Sequence, residues 1–193
     1  MTGKRAMCHI RRTAFLLASP FLTSLFLTSL ACPLAMPATA QDMAGIEQSF
    51  AASLTTMPTD KLTVSGGFYV PAYSSVSMSQ GKLRVDFSVT LSVHNASETQ
   101  PLVLKRIVYF NTAGEMVESY LKSPVALKPL ATVEVFIPTT DIRGGTGANF
   151  IVDWAATGEI TEPVVEALMV GGVANAHYAF LSPGRPTRTV GKN

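Results

Sequence analysis

Leu83-Arg84-Val85-Asp86-Phe87-Ser88-Val89-Thr90-Leu91-Ser92-Val93 is the stretch that decides the fold. Every odd position is apolar and every even one is polar or charged, so the period is two. Successive side chains on a strand point to opposite faces, and this segment therefore reads as a strand with one face buried and one wet. His94-Asn95-Ala96-Ser97 ends it with turn-forming side chains.

Similar pieces follow at intervals of about ten residues. Residues 102–110 (LVLKRIVYF) are closed by Asn-Thr-Ala-Gly at 111–114, and 116–121 form the other arm of a hairpin. Short runs at 125–127 and 132–137 are separated by Pro129. NFIVDWA (149–155), VVEALMV (164–170) and HYAFL (177–181) complete about eight strands. No strand–helix–strand alternation appears, which argues against a parallel sheet. The expected fold is all-β: an antiparallel two-sheet sandwich of immunoglobulin-like type, with a small barrel as the alternative.

The first forty residues are of another kind. Lys4, Arg5, Arg11 and Arg12 precede an uncharged apolar stretch at 14–31, and Ala38-Thr39-Ala40 follows. A basic head, an apolar run and a small-x-small end describe a secretory signal peptide, cleaved after Ala40. Two alternatives stay open. The stretch is 18 residues long, so an uncleaved anchor is a second reading; a lipidated Cys32 is a third, although Ser29 and Pro33 fit it poorly. The expected location is periplasmic or secreted, with membrane attachment only by one of those two routes.

Taking 1–40 as a leader changes the charge. All 13 acids but only 11 of the 15 bases lie in 41–193, so +2 becomes −2. No basic run survives to suggest nucleic acid as a partner. Both cysteines, Cys8 and Cys32, fall in the leader, which removes disulfide and thiolate chemistry from 41–193. That length supports one core. The expected layout is a signal at 1–40, a leader at 41–65 with a short helix on Ile46, Phe50 and Leu54, the β domain at 66–182, and a flexible tail at 183–193.

YVPAYSSV (69–76), LSVHNAS (91–97), IVYFNTAGEMVESYL (107–121), LKPLATVEVF (127–136), GGTGANFIVDW (144–154) and EPVVEALMVG (162–171) together resemble domain-of-unknown-function family 3124. The resemblance covers roughly 67–188. It implies a small exported bacterial protein and implies no activity, cofactor or catalytic residue.

Candidate positions are few. Gly144, Gly145, Gly147 and Asn149 form a glycine loop that could offer backbone amides to an anion or a peptide carboxylate. A phosphate loop would need a helix next and a lysine, whereas here a strand follows, so the plainer reading is a tight loop feeding that strand. Arg106, Asp153 and Glu166 share strand parity with apolar neighbours, and charges in such company need partners. A structural ion cluster across strands satisfies that requirement. The sharper alternative is an Asp153/Glu166 acid–base pair, which glycoside hydrolysis would place about 5–9 Å apart. Tyr69, Pro71 and Tyr73 form a stripe able to bind sugar or a proline-rich peptide, with Tyr73 the candidate, while Trp154 shares parity with Phe150 and Val152 and reads as core. Asn95-Ala96-Ser97 matches a glycosylation acceptor but is also explained as a turn. His94 and His177 suggest no metal site, and no cofactor is implied.

These features favour a non-enzymatic envelope module that binds a protein, peptide or glycan. The alternatives are a hydrolase-like enzyme using Asp153 and Glu166, or a structural or stress-protective envelope protein without a ligand site.

Overall fold

A computed structural model describes residues 45–190. The expected signal at 1–40, its expected cleavage after Ala40 and Cys32 lie outside the described residues. The elements are α1 (Ile46–Ser49), one 3-10 turn (Ala51–Ser53), β1 (Leu54–Thr55), β2 (Val64–Pro71), β3 (Ser75–Met78), β4 (Leu83–His94), β5 (Leu102–Phe110), β6 (Met116–Ser119), β7 (Val125–Leu127), β8 (Thr132–Ile137), β9 (Asn149–Ala156), β10 (Val164–Val173), β11 (Ala176–Pro183) and β12 (Arg185–Val190).

The strands form two antiparallel sheets, the expected sandwich. The first runs β1-β7-β5-β9-β2-β12, with β6 also on β5; the second runs β11-β10-β4-β3, with β8 on β4. β4 behaves as its alternation requires. Val85, Phe87, Val89, Leu91 and Val93 are each no more than 2% exposed, while the polar positions face out. β4 pairs β10 along 87–94, β8 along 89–94 and β3 along 83–86, so one amphipathic strand organises the whole second sheet. Opposite it, the first sheet contributes Phe68, Val70, Leu104, Ile107, Phe150, Val152 and Trp154 to the same core.

Three expectations are corrected. The described part of the expected leader, residues 45–65, is not detached from the domain. Ile46 is 5% exposed and belongs to the core, Phe50 and Leu54 pack against it, and β1 pairs β7. The helix is a single turn rather than the longer one that the spacing suggests; so short a helix is held by docking, not by propensity. The tail is the second correction. Residues 185–190 are a strand on β2, and the chain changes sheets at Gly184, whose N–H donates to the Val165 carbonyl at 2.7 Å. A Cβ at Gly184 would lie 2.7 Å from that same oxygen, so only glycine fits the crossing. Third, among the described residues twelve strands stand where about eight were expected. Those that added to the count are short, or lie at the two ends of the domain, where the alternation is too brief to read.

Asn95 shows what turn side chains accomplish here. It is 2% exposed, its Nδ2 donates to the carbonyls of Gln100 (2.8 Å) and Lys128 (3.0 Å), and its Oδ1 accepts from the Ser97 N–H (3.1 Å). The turn reading of Asn95-Ala96-Ser97 therefore accounts for it, since a glycan on that buried amide would break these bonds.

Adjacent glycines in β2 govern how β9 packs beside them. Gly66 faces the core, and a Cβ there would sit 2.6 Å from Cε2 and Nε1 of Trp154. The absent side chain lets the indole lie on the β2 backbone, directly across the strand pair. We expect Gly66→Ala to destabilise the domain by about 1–3 kcal/mol through overpacking. Trp154 is the single tryptophan, so urea unfolding followed by its fluorescence checks this directly; an unchanged midpoint would contradict the packing described.

Candidate functional site

The charged residues on the outside of the first sheet arise from two local irregularities. β5 slips register between Leu104 and Arg106, leaving Lys105 as an extra residue. Such a bulge reverses strand parity. Leu104 and Ile107 both face the core, and Arg106 turns outward beside Asp153 of β9. Arg106 is therefore not a charge on an apolar inner face, as simple alternation suggested. β12 has a second slip, between Pro186 and Arg188, which sets Arg188 opposite Gly67.

These slips converge on Asp153. Arg106 Nε donates to one carboxylate oxygen at 2.7 Å, and Arg188 Nη2 donates to the other at 2.7 Å. Arg188 reaches across β2 because Gly67 has no side chain; a Cβ there would be 3.0 Å from Asp153 Oδ1 and 3.0 Å from Thr187 Oγ1. The Asp153 side chain is 11% exposed, whereas those of the arginines are 45% and 56% exposed. A carboxylate covered by two half-exposed guanidinium groups is satisfied, and it fixes both of them in place.

Glu166 is not part of this cluster. It lies on β10 in the second sheet, opposite Ser92 and Pro183, sharing the outward parity of Val164 and Leu168. Asp153 and Glu166 thus point away from opposite faces of a sandwich whose sheets pack about 10 Å apart. They cannot flank one bond, and both Asp153 oxygens are already engaged. The acid–base pairing is overturned by this arrangement. A shallow depression of ≈ 380 Å³ lies elsewhere, lined by residues 55–59, Pro101 and Pro129, none of them titratable.

The glycine loop is stitched into the fold. The Gly144 carbonyl accepts from the Thr112 N–H and hydroxyl, both at 3.0 Å, and the Gly147 N–H donates to Thr112 Oγ1 at 2.9 Å. The Gly145 carbonyl accepts from Ser74, through its N–H at 3.2 Å and its Oγ at 3.1 Å, while the Gly145 N–H donates to Ile142. The amides of Gly145 and Gly147 are therefore occupied, and Asn149 begins β9 between Pro71 and Phe110. Gly145 has φ +71°, a left-handed conformation that glycine adopts freely. Gly144 lies against Tyr109, where a Cβ would fall 1.7 Å from the hydroxyl. That hydroxyl is buried without a hydrogen-bond partner. Burial raises the Tyr109 phenol above its ordinary range; the nearby Ser74 hydroxyl pulls the other way without completing a bond of normal geometry.

Tyr73, the aromatic binding candidate, is half-buried, with its ring 5.9 Å from that of Phe180. Tyr69 is the member of that stripe left open, at 38% exposure. Trp154 is core, 2% exposed. Thr132 Oγ1 lies 2.9 Å from His94 Nδ1, and His177 is on the surface. A separate surface ion group joins Arg143 to Asp141 (2.7 Å) and Glu118 (3.2 Å), and the hydrogen bond from Arg143 lowers the Asp141 pKa. Among the described residues, no three His, Asp or Glu side chains are grouped to hold a metal ion, and no helix is long and apolar enough to cross a membrane. Sequence reasoning missed Arg185 and Arg188. The polar alternation of Arg185-Pro-Thr-Arg-Thr-Val190 was the available signal, obscured by its proline and by the bulge.

The family model described as protein of unknown function (DUF3124) matches residues 65–187. The chain belongs to this family. β3 to β11 and all of β2 but Val64 fall inside the matched region, as do Asp153, Arg106 and Arg185, whereas Arg188 lies one residue beyond it. No curated protein matches the chain. A solved structure, the crystal structure of Thermotoga maritima 1070, aligns at 10% identity with a TM-score of 0.37, covering 66% of this chain and 96% of that one.

Two outcomes follow for stability. Asp153→Ala should lower it by about 2 kcal/mol, since two charge-assisted bonds are lost and two arginines are left facing each other. Hydrogen exchange should then quicken first in β12; uniform protection would show that Asp153 does not hold that strand. Gly144→Ala should cost about 1–3 kcal/mol, and adding Tyr109→Phe should recover part of that loss, because the clashing and unpaired hydroxyl is gone. Strictly additive penalties in a double-mutant cycle would refute the contact.

Proposed function

We propose that the domain is an exported, non-enzymatic binding module of the bacterial envelope, directed at a protein, peptide or glycan through the outer face of its first sheet. One observation carries this reading. The outer face of β5, β9, β2 and β12 presents exposed Arg106, Arg185 and Arg188 beside exposed Tyr69, with Asp153 anchoring two of the arginines, while Val103, Val108 and Ala155 on the same side are buried. Aromatic and arginine side chains held in place on an accessible face are the residue types that dominate recognition surfaces. The signal-like leader supports export, and a slightly acidic segment at 41–193 makes the arginine face a local contrast.

The second sheet also exposes apolar side chains. Phe136, Thr90, Leu168 and Leu181 form one row across four paired strands, with Val164 and Val170 on either side of Leu168 along β10. Nothing about that surface selects an occupant.

The test combines location with retention. N-terminal sequencing of the exported protein should begin at Gln41; an intact Met1 in the soluble fraction overturns the export reading. The protein should also crosslink to an envelope component in cells, and Arg106→Glu or Arg188→Glu should reduce that capture several-fold while Trp154 fluorescence reports an intact fold. Capture that is unaffected by both substitutions, or no capture above background, would overturn the binding role of this face.

A further inference from the structure

Four neighbouring strands of the first sheet, ending at its edge strand β12, have an uneven composition. β5, β9, β2 and β12 contain Lys105, Arg106, Arg185 and Arg188 but a single acid, Asp153. Acids outnumber bases by two over 41–193. The arginines are thus concentrated against the average charge of the domain, on one face and around one carboxylate.

Register shows how that face is laid out. One row runs Val108, Ile151, Tyr69, Arg185 across β5, β9, β2 and β12. The adjacent row runs Arg106, Asp153, Gly67, Arg188. Residues on one face of a strand are two apart, so the rows are separated by about 7 Å. Val108 is buried at 4% exposure, so the accessible part of the first row is half-buried Ile151, exposed Tyr69 and Arg185, lying beside the cationic row at about the dimension of a single sugar ring. The room over Gly67 in the cationic row is taken up by Arg188 and Thr187, whose Cζ and Oγ1 lie 3.7 and 3.0 Å from where a Cβ would stand.

Asp153 prepares the arginines for a ligand. Arg106 bonds it through Nε and Arg188 through one Nη2, so each guanidinium uses only part of its five-donor fork. The side chains remain about half exposed, and their outer N–H groups are free to meet a planar anion. Holding them in place beforehand removes the ordering cost that mobile arginines would incur on binding.

We propose that this face binds an acidic glycan: a pyranose ring lies over Tyr69 and Ile151, and its anionic substituent is held by Arg106 and Arg188, with Arg185 meeting a neighbouring residue of the polymer. The inference rests on the binding-module reading and supplies its ligand class. A peptide would instead add its main chain to an open sheet edge, which beside this face is β12, whereas Arg106, Ile151 and Tyr69 stand on strands paired on both sides. A sugar requires only a ring surface with fixed charge beside it.

Protein expressed from the full-length chain would be passed over immobilised polygalacturonate, heparin, poly-glutamate and neutral dextran at low and physiological salt. Retention on polygalacturonate or heparin, with little on poly-glutamate or dextran, is the expected result; preference between the first two distinguishes carboxylate from sulfate as the anionic group. Arg106→Gln and Arg188→Gln should each weaken retention about tenfold, the order expected for loss of a charge-assisted pair. Tyr69→Ala should weaken it while leaving its salt dependence unchanged, since no charge is removed. Equal retention on poly-glutamate, or retention indifferent to all three substitutions, overturns the inference. If in-cell capture depends on Arg106 and Arg188 but neither glycan is retained, the glycan assignment fails and the binding module stands. If neither depends on them, both fall.

Discussion

Two neighbouring glycines in the middle of a strand set the terms on which the first sheet is built. Gly66 and Gly67 point to opposite faces of β2, and each makes room for one side chain of β9 or for its partner. On the inner side the indole of Trp154 presses onto the backbone at Gly66, filling the centre of the core. On the outer side the gap over Gly67 lets Arg188 cross β2 to Asp153. Because Asp153 and Trp154 are consecutive, one strand pair joins the hydrophobic centre of the domain to its charged surface. A glycine within a strand usually weakens it; here the lost side-chain packing is offset by the largest side chain in the core and by a two-arginine clamp.

The clamp links three distant parts of the chain. Arg106 comes from a bulge in β5, Asp153 from β9 and Arg188 from a strand beyond the sheet crossing at Gly184. Each arginine is partly solvated, and exposed ion pairs by themselves stabilise little. The difference lies in Asp153, whose side chain is only 11% exposed and whose two carboxylate oxygens need hydrogen-bond donors there. The cluster therefore holds β12 against the sheet and keeps two guanidinium groups converging on one face. The same side chains serve the fold and form the surface proposed to bind.

The glycine loop illustrates the opposite outcome. It has the composition of an anion-binding loop, yet Thr112 and Ser74 satisfy its backbone, and Gly144 is required because Tyr109 lies beneath it. Composition alone does not separate these uses, since a loop that approaches a ligand and a loop that approaches a tyrosine both exclude a Cβ. The difference rests on which groups the turn at 111–114 delivers, and that turn lies more than thirty residues away in the chain.

The sandwich was legible in the sequence because alternation is a local property. β4 declares its buried face residue by residue, and β5, β7, β8, β9 and β10 begin where their patterns begin. Trp154 was legible as core for the same reason, through Phe150 and Val152. Period two carries no information about an inserted residue, so the bulge at Lys105 and the outward turn of Arg106 came only with pairing against β9. Nor does it say which sheet a strand joins, which is why Asp153 and Glu166 looked like partners and stand on opposite faces. Arg188 belongs to a segment whose strand character comes entirely from hydrogen bonds to β2 and from a carboxylate on β9. The sequence by itself determined where most of the strands lie and, where alternation is unbroken as in β4, which residues face inward. Only the tertiary structure decided which charges meet, because register and sheet assignment are set by contacts between segments and not by the order of residues within one.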